Sequence, residues 1–353
     1  MLGALCDRAS LVFDAATLDA NLRVFAAAGR AHDVRVLLAA KAFPDRRMFE
    51  LAARHLDGFD VASPGELAAI EPERRAGAIV SIADPSGAAS ALAVADARVI
   101  VSCERVEQIA RAPAGAEIAI RVSASITGQD PAIGAILDGS GHRRSRFGVA
   151  TRDDVGALMR AAHGRRVERV GLHLHHGAVT ATSAARFVAT ARAALALCDE
   201  PPAFLNLGGA WHGIADVSAA LAQLRAELPR ELELLIEPGR ACSHGAGYAV
   251  GVVSNSRSLG DRELRVLDLS RAAHMRWSQP ELIARAPHPG RGRNVLFVGP
   301  TCFEDDVIGE WTIDPSDLVD GDRAVLRDIT GYALAWNVGF GGVPPAVVVW
   351  LDR

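Results

Sequence analysis

Val36-Leu37-Leu38-Ala39-Ala40-Lys41-Ala42 is the stretch on which the reading of this chain turns. An apolar run of strand length ends in a lysine, and Phe43-Pro44-Asp45 then breaks the strand ahead of a helical pattern. An ammonium carried on a buried strand loses its hydration, so a lysine there belongs at the strand end, facing solvent or a site. What the rest of the chain brings to the same place decides between the two.

Working outward, Ser10 to Phe13 is a short apolar strand, and Asp14 opens an Ala-rich helix as an acidic N-cap. Strand-like runs then alternate with helical ones: Val34–Ala40, Gly58–Ala62, Ala78–Ile82, Val99–Cys103, Glu117–Val122, Val170–His175, Phe204–Leu207 and Leu232–Glu237. Between them lie Ala- and Leu-rich helical patterns such as Ala184–Cys198 and Val217–Leu228. Eight strands alternating with helices over about 230 residues fit an α/β fold of the (β/α)8 type, the TIM barrel. A doubly wound open sheet is the other solution, but no Gly-rich dinucleotide fingerprint follows the first strand. After Ala241 the pattern changes to short strands separated by Gly, Pro, Asp and Ser: Tyr248–Asn255, Glu263–Leu269, Val295–Val298, Arg323–Leu326 and Ala346–Leu351. The expectation is a β/α barrel over residues 14–242 and a second, all-β domain formed by 1–13 plus 243–353, completed by the strand near Leu11. Thr127–Ser145, rich in Gly, Asp and Ser, reads as a loop on the barrel.

Composition narrows the function classes. The 353 residues are 50% hydrophobic with a formal net charge of −4, enough for one barrel-sized core and a smaller one. No basic run dominates, and Arg143, Arg144 and Arg146 form too short a cluster to support nucleic-acid binding. No apolar run approaches the roughly 18 residues of a membrane span, and the N-terminus lacks the pattern of a signal peptide. The five cysteines are widely spread, without a Cys-x-x-Cys pair, so reduced thiols in a cytoplasmic protein are expected, with neither a disulfide framework nor a metal site.

In a β/α barrel the chemistry sits at the C-terminal ends of the strands. Polar residues collect there: Lys41 after the first strand, Asp60 to Glu66 after the second, His173-Leu174-His175-His176-Gly177 after the sixth, Asn206-Leu207-Gly208-Gly209-Ala210 after the seventh and Glu237-Pro238-Gly239-Arg240 after the eighth. Glycines after strands seven and eight let backbone N–H groups approach a phosphate. A carboxylate inside the mouth suits a protonated heterocyclic nitrogen. Lysine, phosphate cradle and carboxylate together describe a site for pyridoxal 5′-phosphate. Alternation along a strand puts His173 and His175 on one face and His176 on the other, leaving open which ring stacks on a cofactor.

Over most of its length the sequence resembles the fold-type III pyridoxal-phosphate decarboxylases, the group of ornithine, diaminopimelate and carboxynorspermidine decarboxylases. The stretches that carry the resemblance are Ala40-Lys41-Ala42, Gly58 to Ser63, Arg146-Phe147-Gly148, Gly171 to His175, Leu205 to Gly209 and Glu237 to Arg240, then Gly299-Pro300-Thr301-Cys302, Asp306-Val307-Ile308 and Gly331-Tyr332. The resemblance implies that Lys41 carries the cofactor, that His175 stacks on its ring and that Glu237 binds the ring nitrogen. It places Gly208, Gly209, Gly239, Arg240 and Tyr332 at the phosphate, Asp60 beside the cofactor, and Cys302 as the acid that reprotonates the substrate carbon. It also implies a homodimer with shared active sites.

Two departures bear on the substrate. The serine that commonly follows the family's strand-six histidine motif is Ala178 here, one hydrogen bond fewer at the phosphate, on the order of 1 kcal/mol. Phe303 stands directly after Cys302, where relatives acting on basic amino acids place an acid for the distal amine; Glu304 or Asp305 replaces it if the loop is shifted. Arg271, His274 and Arg276 form an unusually cationic segment expected to line the substrate pocket. The expected activity is decarboxylation of an atypical, carboxylate-bearing amino acid of the kind found in siderophore or other secondary pathways. The alternatives are an ornithine, lysine or diaminopimelate substrate, or a non-catalytic relative. A racemase would need a tyrosine base, and the chain has only Tyr248 and Tyr332.

Overall fold

The computed structural model describes residues 6–123, 147–175, 183–260, 262–284 and 286–352. The Thr127–Ser145 loop, the Arg143–Arg146 cluster, His176 and Ala178 lie outside these residues. The described strands are β1 Ser10–Asp14, β2 Val34–Ala39, β3 Gly58–Val61, β4 Ile79–Ile82, β5 Arg98–Cys103, β6 Glu117–Arg121, β7 Val170–His173, β8 Phe204–Asn206 and β9 Glu233–Ile236, then β10 Gly247–Leu259, β11 Arg262–Leu267, β12 Glu281–Leu282, β13 Arg293–Val298, β14 Val307–Ile313, β15 Arg323–Arg327 and β16 Val347–Leu351. The chain divides into two compact units, Asn21–Lys41 with Asp45–Cys242, and Met1–Ala20 with Ala42–Pro44 and Ser243–Arg353.

In the first unit β2 to β9 close into a parallel barrel, with β2 pairing β9 through Val34 and Leu234. Strands in this position are covered by helices outside and by one another inside, so their residues are buried on both faces, as the unbroken burial of β3, β4, β7 and β8 shows. Leu37, Ile79, Ile100, Ala119, Phe204 and Leu235 fill the interior. Gly171 makes room for this layer, since a Cβ there would stand 2.4 Å from the Phe204 ring. The helices begin where short polar side chains satisfy free N–H groups: Asp45 caps Arg46–His55, Thr151 caps Arg152–Gly164, Ser183 caps Ala184–Leu195 and Asp216 caps Val217–Glu227. Among the described residues no helix is long and apolar enough to cross a membrane.

Ions close the base of the barrel. Arg98, at the start of β5, makes bidentate pairs with Glu117 at the start of β6 (2.8 Å each) and with Glu233 at the start of β9 (2.7 Å each). Arg169 joins the same two carboxylates. Arg35 also reaches Glu233, at 3.7 Å, so Glu117 serves two arginines and Glu233 three, and the network ties β5, β6 and β9 at the end opposite the expected chemistry.

The second unit is mostly sheet, in the order β12-β15-β10-β11-β13-β14. The N-terminal β1 joins it as expected, antiparallel to β10 and parallel to β16. It is not purely β: Arg271–His274 and Tyr332–Ala335 are short helices. β12 and β14 have no counterpart in the sequence reading; in β14 Ile308 and Ile313 are buried among half-buried and exposed residues, a weaker signal than the apolar runs of the barrel.

Arg98→Met leaves Arg169 as the arginine shared by the two partly buried glutamates, with Arg35 at 3.7 Å from Glu233. Breaking a buried network typically costs 3–5 kcal/mol, and the partial exposure of this one reduces the expected loss to about 2 kcal/mol. Denaturant unfolding checks it, with wild-type-like secondary structure expected in the variant.

Candidate active site

The C-terminal ends of the barrel strands surround a cavity of about 210 Å³ lined by Lys41, Asp60, Ser102, Arg121, His173, His175 and Glu237, among others. Lys41 stands in the 3-10 turn that follows β2, its side chain about one-third exposed. It donates to Asp60 Oδ2 at 2.8 Å, from one strand end to the next. Asp60 is buried, and its other oxygen, Oδ1, has no hydrogen-bond partner among the described residues. Burial, reinforced by the charge of Glu237, pushes the Asp60 carboxyl up to about 6 in spite of the Lys41 contact.

Glu237 is the opposite case. It follows β9 and is 2% exposed, but donors from three strands surround it. Oε1 accepts from Ser81 Oγ of β4 at 2.9 Å and from Asn206 Nδ2 of β8 at 2.5 Å. Oε2 faces His173 Nε2 of β7 at 3.5 Å. Burial alone would raise this carboxyl; the His173 ring, Lys41 and Asn206 outweigh it and hold the group well below the usual carboxylate range. A buried carboxylate kept ionised inside a mouth is poised to hold a proton on a basic nitrogen.

His173 and His175 both line the cavity, as their alternation requires. They are differently held. His173 Nδ1 lies 2.5 Å from Ser102 Oγ, and Arg121 Nη1 lies 3.3 Å from each ring nitrogen. His175 Nδ1 accepts from Gly209 N at 3.3 Å. Burial, then Arg121, lowers the tendency of both rings to protonate, and for His175 Lys41 adds to this. Both are therefore neutral imidazoles near pH 7.

The turn after β8 is shaped by what glycine allows. Gly208 has φ +65°, and a Cβ there would stand 2.3 Å from the Leu174 carbonyl. Its N–H donates to Asn206 Oδ1 at 2.9 Å. The N–H groups of Gly208 and Gly209 are thus engaged within the barrel, and the two glycines let the turn pass close to the Leu174 carbonyl and the His175 ring. Gly239 and Arg240 follow Glu237 directly, with Arg240 opening a 3-10 turn. Ser81, Ser102 and Arg121 did not enter the sequence reading. Each is a polar residue at or next to the last position of an apolar strand, and that placement is the signal that would have marked them.

In the second unit, Asp306 accepts from Ser270 Oγ (2.9 Å), Thr301 Oγ1 (2.7 Å) and Ala272 N (3.1 Å), which ties the segment around Arg271 to the one around Cys302. His274 is buried, with Nδ1 3.0 Å from Ser270 N and Nε2 3.0 Å from the Pro344 carbonyl, so both nitrogens serve the local fold. Arg271 reaches the carbonyls of Val307 and Ile308. Arg276 differs: its guanidinium lies 4.4 Å over the Trp336 ring, and no carboxylate pairs with it among the described residues. Trp277, at φ +66°, packs edge-on against Tyr332 and Trp336. Cys302, Phe303 and Glu304 are exposed, and Phe303 meets Phe340 edge-to-face at 5.8 Å.

Residues 17–244 match the family model for the pyridoxal-binding domain of pyridoxal-dependent decarboxylases. The chain is 28% identical to a diaminopimelate decarboxylase of Actinosynnema pretiosum subsp. auranticum, over 96% of this chain and 83% of that one. It is also 28% identical to the diaminopimelate decarboxylase of Deinococcus radiodurans, over 96% and 89% of the two chains. Its fold is that of the lysine/ornithine decarboxylase of Vibrio vulnificus solved with cadaverine, at a TM-score of 0.77 and 18% identity, covering 98% of this chain and 95% of that one.

The raised Asp60 carboxyl gives a signed expectation for the protein without ligand. The folded state retains this proton between about pH 4 and pH 6 while the unfolded chain has lost it, so the Asp60 contribution to stability falls as pH rises through that window. Asp60→Asn removes the effect. The stability of the variant relative to wild type should therefore increase from pH 4 to pH 6.5, measured as the difference in denaturant midpoints.

Proposed function

The chain belongs to the family of pyridoxal-dependent decarboxylases, and on that premise we propose that it removes the α-carboxylate of an amino acid carrying a second carboxylate, with Arg276 recognising that group. The observation behind the substrate class is the Arg276 guanidinium, held over the Trp336 ring and paired with no carboxylate among the described residues. A guanidinium in that state offers a planar, bidentate donor to an incoming carboxylate. Phe303, directly after Cys302, supplies no anion for a distal amine. The names of the two relatives favour one member of this class, diaminopimelate itself, while a carboxylate-bearing conjugate of the siderophore type is the other.

Pyridoxal phosphate fits the barrel site on two local observations, the unpartnered, buried Asp60 Oδ1 and the cavity of about 210 Å³ between Lys41, His175 and Glu237. Bound there, it supplies a ring that accepts the electron pair released when the bond from Cα to the carboxylate breaks. The protein does the rest. Lys41 anchors the cofactor at the mouth, and Asp60 holds that amine. Glu237 keeps a proton on the ring nitrogen, His175 lies against the ring, and Gly208, Gly209, Gly239, Arg240 and Tyr332 accommodate the phosphate. Cys302 returns a proton to the substrate carbon, acting in the site of a second copy in a homodimer. Arg271 and His274 shape the segment that presents Arg276, and Glu304 borders the substrate.

The visible absorbance band of protein saturated with pyridoxal phosphate tests the first part: it should be present in wild type and absent in Lys41→Ala, and a colourless wild type overturns the reading. Carbon dioxide release from diaminopimelate, lysine, ornithine, arginine and a citrate-linked amino acid tests the second. Only the substrates with an extra carboxylate should turn over well, and Arg276→Met should raise their KM by roughly tenfold or more. Cys302→Ala should slow turnover by about 10²-fold; unchanged rate and product stereochemistry would remove it from the role of acid.

A further inference from the structure

Three donors converge on Glu237, but they are unevenly placed. Ser81 and Asn206 both bind Oε1, and two hydrogen bonds to one oxygen leave the carboxylate able to pivot about that atom. The other oxygen faces His173 Nε2 at 3.5 Å. His173 is itself fully buried and cannot turn freely. Ser102 on β5 meets its Nδ1 at 2.5 Å, and Arg121 on β6 lies 3.3 Å from both nitrogens. The ionised Glu237 carboxylate can only accept, so the ring proton sits on Nε2 facing it, and Nδ1 is the nitrogen that accepts from Ser102 Oγ. Beyond Ser102, Arg121 and Glu237, the charge close enough to act on this ring is that of Lys41.

We propose that His173 is a positioning residue: a Ser102–His173–Glu237 chain of contacts fixes the second oxygen of the Glu237 carboxylate and thereby sets how firmly a bound pyridine nitrogen keeps its proton. The inference rests on the reading that pyridoxal phosphate occupies this mouth. A histidine suits the task because its ring is rigid, spans from one strand to the carboxylate, and carries an acceptor and a donor on opposite sides. With a leucine there, Oε2 loses that neighbour and the carboxylate swings about Oε1. The ring proton is then held less well, and the electron-withdrawing strength of the ring falls with it.

The test uses pyridoxal phosphate labelled with ¹⁵N in the ring, bound to the full chain. In wild type the nitrogen resonance should stay in the protonated range from pH 6 to 8. In His173→Leu it should move toward the unprotonated value, with kcat lowered about tenfold or more and KM changed much less. His173→Gln, whose amide N–H can reach Oε2, should recover most of the wild-type resonance, and Ser102→Ala should shift it in the direction of the leucine variant by a smaller amount. If His173→Leu does not fold, the Gln and Ser102→Ala variants decide the question. Wild-type resonances in both Ser102→Ala and any folded His173→Leu overturn the proposal. A wild-type protein that shows no bound-cofactor resonance overturns the reading beneath it instead.

Discussion

A full negative charge on Glu237, in a place that water does not reach, is the constraint around which this barrel is built. Isolated, such a carboxylate would take up a proton, because the interior cannot replace its hydration. Here β4, β7 and β8 each present one donor at the same level, and Lys41 stands across the cavity. Asp60, on the neighbouring strand β3, has the single donor Lys41 on one oxygen and none on the other among the described residues, and burial drives it the other way, up to about 6. Two buried carboxyls in one mouth are thus separated in proton affinity by their neighbours alone, the pattern by which a protein assigns different duties to chemically similar groups.

The two ends of the barrel solve different problems with the same residue types. At the base, Arg98 and Arg169 each pair with both Glu117 and Glu233, so the carboxylates are taken up by one another's arginines. At the mouth, pairing is deliberately incomplete: Asp60 keeps one oxygen without a partner. The first arrangement fixes strand ends; the second leaves a polar valence for a molecule that arrives later. The second unit repeats the contrast. Asp306 is fully engaged with Ser270, Thr301 and Ala272, and that rigid knot lies next in sequence to Cys302 and Phe303, which are exposed.

Much of this was legible in the residues because a parallel barrel writes a strong signal. Its strands are buried on both faces and read as apolar runs, and the polar residue ending each run is conspicuous. Lys41, His173, His175, Asn206 and Glu237 stood out in that way. Ser81, Ser102 and Arg121 did not, since a serine costs little inside a strand and an arginine at its end reads as a surface residue. The second unit was harder: β14 buries Ile308 and Ile313 among half-buried and exposed residues, and β12 is two residues long, so neither carries a run that composition can reveal. The cationic segment from Arg271 to Arg276 looked uniform in sequence, yet its three charged or titratable side chains do three different things.

By itself the sequence determined the alternation of strands and helices, the closure it implies, the side of the barrel on which chemistry collects and the face shared by His173 and His175. Those follow from local periodicity and from where apolar runs stop. Only the tertiary structure decided which side chains meet across strands distant in the chain: Glu237 with Ser81, 156 positions away, and His173 with Ser102, 71 away. Protonation and orientation depend on such neighbours within a few ångströms, and no local pattern encodes them, because burial and the approach of charges exist only once the barrel has closed.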